Sequence, residues 1–377
     1  MNILTGDDLR SLIERREGLC VSLFMPTHRM GTETQQNQIR YRNLLRKAEE
    51  KLIDSDLRPQ EIREFLKPAH DLAGDVPFWQ NQSDGLALYV SPASFNHFRL
   101  PISFEELVVV TNRFHLKPII PAATGDREFF VLAVTQKDVR LIKGSRYAAE
   151  EIDLEAVPST AAEFFRFDLL EKELQYHTRR HPAAFQGVGG GTEDPKDDIS
   201  RYFKQVDKGI KIIMKGSQTP LVFAGVEYLY PIYKEANTYP HLMDDAITGS
   251  PEGLTADELN DQAWPLVEPV FEKEREKAIH LYKELSGTGR ASNDIKEIIP
   301  AAYHGRIDTL FVSVGQQQWG RYNTETDEVI LQDDATLSSA DLLDYAAIQT
   351  LLNGGAVYAV SLDDIPDEAL MVAIFRY

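Results

Sequence analysis

Short apolar runs typical of β-strands alternate along this chain with longer stretches of amphipathic, helical periodicity. The clearest apolar runs are LCVSLFM at 19–25, FFVLAV at 129–134 and DTLFVSV at 308–314. The strongest helical periods lie at about 34–53, 196–215 and 256–285. Because strands and helices that alternate in sequence pack as layers around shared cores, this pattern predicts a mixed α/β fold.

The length of the chain predicts more than one domain. Its 377 residues exceed what one hydrophobic core usually organises. Two segments rich in Pro, Gly and Asp, at 118–126 and 244–254, are typical of linkers. We therefore predict a mixed α/β domain at 1–122, a middle domain at 123–245 and a three-layer α/β domain at 246–377.

Charge and hydropathy restrict the classes of partner. A formal net charge of -19 excludes a protein that coats nucleic acid or anionic membrane with its whole surface. No apolar run approaches the roughly 18 residues that span a bilayer, so we expect a soluble, cytoplasmic protein without a membrane partner. The single cysteine, Cys20, lies in an apolar run and is predicted to be buried.

A basic helical face stands out against this acidic background. In the period at 196–215, apolar residues such as Phe203 and Val206 recur on one side. The cations of this stretch are Arg201, Lys204, Lys208, Lys211 and Lys215. With Asp207 as the one anion of 201–215, the local charge is 5 - 1 = +4. This face is a candidate RNA-binding surface, with an ordinary solvated helix face as the alternative.

The most unusual segment is QYHTRRHPAAFQGVGGGTEDPKDD at 175–198. Its candidate contact loop consists of Gln186, Gly187, Gly189, Gly190, Gly191 and Thr192, with Val188 among them. Glycine loses more conformational freedom on folding than any other residue and carries no Cβ. The loop is therefore predicted to let its backbone approach another molecule closely.

Neither phosphate binding nor metal binding explains this segment well. GVGGGT has neither the GK[ST] ending of a P-loop nor the GxGxxG register of a dinucleotide site. His177 and His181 have a spacing that suits metal ligands on a helix, but Arg179 and Arg180 between them oppose a metal ion. We therefore expect no metal and no cofactor, and interpret YHTRRH as a patch that contacts RNA phosphate or solvent.

No motif in the sequence identifies a catalytic residue. The GxSxG pattern of serine hydrolases is absent, and the paired aspartates have no spacing that indicates an acid and base pair. Whether the protein is an enzyme is left open by the residues alone.

The order of these parts resembles a known family. FFVLAVTQKDVRLIKG, YHTRRHP, GGGTEDPKDD, RYFKQVDKGI and LVFAG follow one another as in the bacterial archaeo-eukaryotic release factors, most closely family 3. These are related to the archaeo-eukaryotic peptide-chain release factors and to Pelota. AAYHGRIDTLFVSV and ALMVAIFRY extend the resemblance to about residues 125–377.

The resemblance implies a fold and a place of action. The middle domain would have an RNase H-like fold without nuclease function, and its loop would reach the peptidyl transferase centre. The third domain would have the ribosomal-protein-type RNA-binding fold and contact partners that include an elongation-factor-type GTPase. The implied partners are the ribosome, with its RNA and peptidyl-tRNA.

One residue departs from the family pattern. Release in these factors depends on a GGQ tripeptide, whereas Gly190-Gly191 is followed here by Thr192, and the nearest glutamine is Gln186. Two hypotheses stay open. The chain acts in peptide release or ribosome rescue, or it occupies the ribosomal A site without catalysis in hibernation or stress protection.

Overall fold

The computed structural model describes residues 4, 6–14, 18–31, 33–55, 57–123, 128–135, 138–146, 148–154 and 195–377. The chain divides into two compact units. The first unit combines Met1–Asp126 with Lys273–Tyr377, and the second unit is Arg127–Glu272. Both contain helices and β-sheets, which confirms the mixed α/β class. The division into three domains at 1–122, 123–245 and 246–377 stays a prediction.

The N-terminal part of the first unit is an antiparallel sheet of strand order β3-β2-β1-β4 with helices on its faces. Its elements are α1 (Gly6–Glu14), β1 (Cys20–Pro26), α2 (Thr34–Ile53), α3 (Pro59–Ala73), α4 (Val76–Gln80), β2 (Gly85–Ser91), β3 (Ser94–Leu100), β4 (Leu107–Thr111), a 3-10 turn (Lys117–Ile119) and α5 (Ile120–Ala123).

Strand β1 supplies side chains to two cores, because successive residues of a strand point to opposite faces. Val21, Leu23 and Met25 join the core formed with α2 and α3. Cys20 and Phe24 face the other way, into a core that includes residues of α1. The predicted burial of Cys20 is confirmed, and burial raises the pKa of its thiol to about 11.

The second unit is a five-stranded sheet of order β7-β6-β5-β8-β9. Its elements are β5 (Phe129–Val134), β6 (Val139–Gly144), β7 (Ala149–Ile152), α6 (Pro195–Ile213), β8 (Leu221–Gly225), α7 (Leu229–Ala236), β9 (Ile247–Thr248) and the first part of α8 (Ala256–Leu285). Strands β5, β6 and β7 pair antiparallel, whereas β5, β8 and β9 run parallel. Helices α6 and α7 cover one face of the sheet and α8 covers the other.

The C-terminal part of the first unit contains a four-stranded sheet of order β10-β16-β11-β15 and a smaller sheet of order β13-β12-β14. Its elements are β10 (Ala291–Ser292), α9 (Ile295–Tyr303), β11 (Ile307–Ser313), β12 (Trp319–Asn323), β13 (Glu328–Gln332), β14 (Ala340–Asp341), α10 (Leu342–Leu352), β15 (Ala356–Val360) and β16 (Met371–Phe375). Helices α9 and α10 pack on one face of the larger sheet, and the end of α8 packs on the other.

The first predicted linker is wrong over most of its length. Residues 117–123 form a 3-10 turn that leads into α5, and Pro118, Ile119 and Ile120 are buried. Ile119 and Ile120 pack in two different cores of the first unit. Pro118, one of the residues that suggested a linker, therefore belongs to a packed segment.

Candidate functional site

Helix α6 carries those predicted RNA-binding residues that the structure describes. The buried side of this helix faces the sheet of the second unit. The residues on that side include Tyr202, Phe203, Val206 and Ile210. Phe203 meets Phe223 and Tyr233 edge-on, with ring centroids 6.3 and 5.4 Å apart. This apolar side fixes which residues of the helix face solvent.

The opposite side of α6 is a row of cations, which we call the basic stripe: Arg201, Lys204, Lys208 and Lys211. At about 100° per residue, these four positions fall within an arc of about 80°. Lys204, Lys208 and Lys211 are exposed and have no ion pair with any residue that the structure describes. Arg201 is half-buried at one edge of the stripe. Lys215 is exposed just beyond the end of the helix.

Asp207, the single acidic residue of 201–215, is turned away from the stripe. Asp207 is 5% exposed, and its carboxylate accepts hydrogen bonds from Thr238 N at 2.8 Å and Thr238 Oγ1 at 2.6 Å. These two bonds tie α6 to the segment that follows α7. Burial and the nearby Asp207 charge raise the pKa of Tyr233. The carboxylate therefore acts as an anchor for the helix rather than as a counterion for the stripe.

The remaining predicted contact residues lie outside the described residues. These are Gln186, Gly187, Gly189, Gly190, Gly191 and Thr192 of the loop, and His177, Arg179, Arg180 and His181. Their connection to α6 is fixed by the covalent chain, because the helix begins at Pro195, three residues after Thr192. The loop is therefore close in sequence to the N-terminus of α6.

Sequence reasoning missed a buried ion cluster in the first unit, formed by His115, Lys117, Asp341 and Asp344. Lys117 Nζ lies 2.9 Å from Asp341 Oδ2. Asp344 Oδ1 accepts hydrogen bonds from Leu116 N at 2.7 Å and Lys117 N at 2.6 Å, and lies 3.7 Å from His115 Nδ1. Burial lowers the pKa of His115 and raises that of Asp344.

The position of this cluster indicates a structural role. Its side chains are 0–4% exposed, so neither solvent nor a substrate contacts them. It joins residues near the first predicted linker to the N-terminus of α10, where Asp341 caps the helix by accepting a hydrogen bond from Leu343 N at 3.0 Å. The sequence signal was a histidine and a lysine within the apolar stretch FHLKPII.

Within the part of the chain that the structure describes, no helix is long and apolar enough to span a bilayer. Among the same residues, no three His, Cys, Asp or Glu side chains are grouped as metal ligands.

Comparison with solved structures gives weak similarity over long alignments. Ribosome-bound archaeal Pelota, solved with ABCE1, has 15% identity and a TM-score of 0.39, over 100% of this chain and 95% of that one. The archaeal translation termination factor aRF1 has 14% identity and a TM-score of 0.24, over 99% of both chains. Dom34 of S. cerevisiae has 9% identity and a TM-score of 0.36, over 78% and 79%. These values are too low to assign a function.

No curated protein matches the chain. Residues 128–306 do match a family model, that of bacterial archaeo-eukaryotic release factor family 3. The matched segment contains the hairpin of β5 and β6, the Gly-rich loop, the basic stripe and strand β8. The resemblance seen in the sequence is confirmed for this matched segment, residues 128–306.

Proposed function

We propose that this protein is a ribosome-associated translation factor of the release or rescue type. The observation that carries the proposal is the basic stripe on α6, exposed to solvent and joined within three residues to a Gly-rich loop, inside the segment that matches a release factor family. In this function the stripe contacts ribosomal RNA and the loop is placed near the peptidyl transferase centre.

The electrostatics of α6 support an RNA partner. A chain of net charge -19 is repelled by RNA at long range unless cations are concentrated where contact is made. Lys204, Lys208 and Lys211 lie three and four residues apart, so their positive charges are neighbours on one face of the helix. None of the three has an ion pair with a described residue. Each phosphate that they neutralise releases condensed counterions, which favours binding.

The loop supports close approach to a crowded site. The backbone at Gly187 and at 189–191 carries no Cβ, so it fits where a side chain would clash. His177, Arg179, Arg180 and His181 precede the loop and add cations on its other side. In this function, peptidyl-tRNA is the substrate or the ligand beside the loop.

The proposal extends to domains and partners. The middle domain, 123–245, would have an RNase H-like fold, and 246–377 the ribosomal-protein-type RNA-binding fold. An elongation-factor-type GTPase would deliver the protein to cytoplasmic ribosomes. These proposals follow from the family resemblance.

Thr192 favours a second candidate function. Where release factors of this lineage have glutamine after two glycines, this chain has a threonine, whose shorter side chain lacks the amide. A protein that enters the A site without hydrolysing peptidyl-tRNA, in hibernation or stress protection, needs the same RNA contacts and no glutamine.

Two measurements on purified ribosomes test the function. The first is cosedimentation of the intact chain and of the double variant Lys204→Glu/Lys208→Glu. The control is Lys67→Glu/Lys283→Glu, which makes the same change in charge at exposed lysines on α3 and α8. We expect binding to be lost only in the α6 variant. Equal binding by all three proteins would exclude α6 as the RNA-contacting surface.

The second measurement separates the two candidate functions. Ribosomes loaded with labelled peptidyl-tRNA are mixed with the intact chain or with a variant in which 186–192 is replaced by a short Ser-Gly linker. Peptide release by the intact chain alone supports a release or rescue factor. Ribosome binding without release by either protein supports the non-catalytic A-site occupant.

A further inference from the structure

The first unit contains a second candidate binding site, at a cavity of about 550 Å³. Several parts of the chain meet there: α1, the segment after β4, the end of α9, the turn between β12 and β13, and α10. The volume is that of a small-molecule site, and such sites form where separate parts of a protein pack together. The cavity lies far in sequence from α6, and binding there does not depend on the proposed function.

Polar side chains from these separate parts converge on the cavity, and all of them have accessible surface. Those of Asn112, Tyr303 and Thr324 are exposed, and those of Arg113 and Gln349 are half-buried. The side chains of Asn112, Tyr303, Thr324 and Gln349 make no hydrogen bond to any residue that the structure describes. Their donors and acceptors are therefore open to a ligand.

The charge of the lining differs from that of the chain. The whole sequence has 59 acidic and 40 basic residues. Among the described residues that line the cavity, however, none is Asp or Glu, and Arg113 carries the one formal charge. The local potential therefore favours a ligand with an anionic group.

Arg113 is positioned before any ligand binds. Its guanidinium carbon lies 4.9 Å from the ring centroid of Tyr345, which is a cation-π contact. Thr111 Oγ1 donates a hydrogen bond of 2.8 Å to Arg113 O and so holds the turn after β4. Stacking uses the face of a guanidinium, whereas phosphate is bound by the N–H groups in its plane. The contact with Tyr345 is thus compatible with phosphate binding.

Tyr303 provides an aromatic surface at the same cavity. Its ring and that of Tyr322 meet edge-on with centroids 5.5 Å apart, while 39% of Tyr303 stays exposed. Tyr322 in turn lies 5.8 Å from Tyr345, so ring contacts connect Tyr303 to the ring beneath Arg113. Nucleobases stack on exposed tyrosine rings of this kind in single-stranded RNA sites.

The amides of Asn112 and Gln349 favour one kind of base. An amide side chain carries both a donor and an acceptor, which matches the N6 and N7 groups of adenine. A ring for stacking, amides for the base edge and an arginine for phosphate therefore surround one cavity. We propose that this cavity binds an adenine nucleotide, free or within a single-stranded RNA, with its base on Tyr303 and its phosphate at Arg113.

Calorimetry or ligand-observed NMR on the full chain at low salt tests this site with AMP, adenosine and UMP. We expect AMP to bind about fivefold or more tightly than adenosine, because only AMP brings an anion to Arg113. UMP keeps the phosphate but has a smaller ring without the N6 and N7 pair, so it should bind about fivefold more weakly than AMP.

The oligoribonucleotide hexaadenylate identifies the source of the nucleotide. If its affinity exceeds that of AMP by more than about sixfold, the statistical factor for six equivalent bases, the ligand is an RNA strand. A smaller difference means that the site takes the free nucleotide. Both outcomes support an adenine nucleotide site.

Two substitutions with matched controls locate the ligand. Arg113→Gln should remove the preference for AMP over adenosine, whereas Arg42→Gln, at an exposed arginine on α2 outside the cavity, should not. Tyr303→Ala should weaken the binding of AMP and of adenosine about tenfold. Tyr228→Ala, at an exposed tyrosine of the second unit, should leave both unchanged.

A third substitution guards against a loss of folding. Asn112 is exposed and its side chain has no partner among the described residues, so Asn112→Ala should keep Tm while reducing the preference for AMP over UMP. Absence of AMP binding, equal binding of AMP and adenosine, or AMP binding unchanged in both Arg113→Gln and Tyr303→Ala would overturn the proposal.

Discussion

At the scale of single residues, one buried carboxylate contributes to the orientation of the basic stripe. Asp207 accepts two hydrogen bonds from Thr238 on the side of α6 that faces the protein. These bonds fix the rotation of the helix together with the apolar contacts of its buried side.

Asp207→Asn should therefore destabilise the second unit. The amide oxygen can accept only one of the two hydrogen bonds, the hydroxyl of Thr238 must turn from donor to acceptor toward the amide nitrogen, and both bonds lose the strength that the carboxylate charge gives them. The expected loss in the free energy of unfolding is about 1–3 kcal/mol, measured by urea denaturation followed by circular dichroism. Asp261→Asn, at an exposed site on α8, is the matched control and should change stability little. An equal effect of the two substitutions would contradict the anchoring role.

His115 should make the stability of the first unit depend on pH. Burial lowers its pKa below the ordinary value of 6.5, so the folded protein keeps the imidazole neutral while the unfolded chain binds a proton. As the pH falls below about 6.5, this group lowers the free energy of unfolding by at most about 1.4 kcal/mol per pH unit. Asp344 acts in the opposite direction, because its pKa is raised in the folded state.

The contribution of His115 is obtained by difference. The free energy of unfolding of the intact chain and of His115→Phe is measured between pH 5 and 8, a range centred on the ordinary histidine pKa of about 6.5. The phenyl ring keeps the edge-on contact with Phe24, whose centroid lies 5.9 Å from the imidazole, but does not titrate. The intact chain should lose more stability toward pH 5 than the variant does. Parallel pH curves would show that His115 does not titrate differently on folding.

At the scale of elements, the helices and strands with strong periodicity were predicted closely. The helical periods at 34–53 and 256–285 correspond to α2 and α8, and the apolar run at 129–134 corresponds to β5. In each case one local pattern, of period 3.6 or an apolar run, is enough to define the element.

Elements that depend on capping were predicted less well. Ser338 and Ser339 are residue types that often begin a helix, but α10 begins at Leu342 because Asp341 is its N-cap. Ser339 Oγ instead donates a hydrogen bond to Thr336 O, within the preceding turn. Helix α3 was not predicted from the sequence, although Pro59 at its first position and Glu61 two residues later are ordinary signals of a helix start. The carboxylate of Glu61 accepts a hydrogen bond from Arg58 N.

Helix α6 leads to a prediction for ribosome binding at varied salt. Neutralising Lys204, Lys208 and Lys211 to Gln removes three exposed cations without altering the buried side of the helix. If all three contact phosphate, the slope of log K against log salt should become shallower by about 2–3. Filter binding or sedimentation over a salt series measures this slope. Weaker binding with an unchanged slope would mean that the lysines act through the fold and not through phosphate contacts.

At the scale of the whole molecule, the pairing of distant segments was beyond sequence reasoning. Leu116 N donates to Asp344 Oδ1 across 228 residues of sequence. A histidine or lysine in an apolar run gives no indication of which carboxylate it will meet, since such a pairing is set by the packing of several elements. For the same reason, the segment at 118–126 was predicted to be a linker, although Pro118, Ile119 and Ile120 are buried.

The composition of the two units predicts which fragments fold alone. Both cores of the second unit consist only of residues between 127 and 272. The N-terminal part of the first unit, in contrast, shares a core with Ile348 of α10, and Lys117 needs Asp341 as its partner. A fragment of 127–272 should therefore unfold cooperatively, whereas a fragment of 1–126 should not.

Thermal denaturation and amide NMR dispersion of the two fragments check this prediction. In 1–126, Lys117 lacks its partner Asp341, and the core that includes Ile348 in the full chain is incomplete. In the full chain, Lys117→Met should lower the free energy of unfolding by about 3–5 kcal/mol, because Asp341 is then buried without its cation. Cooperative unfolding of 1–126 would mean that the buried ion cluster adds little to the first unit.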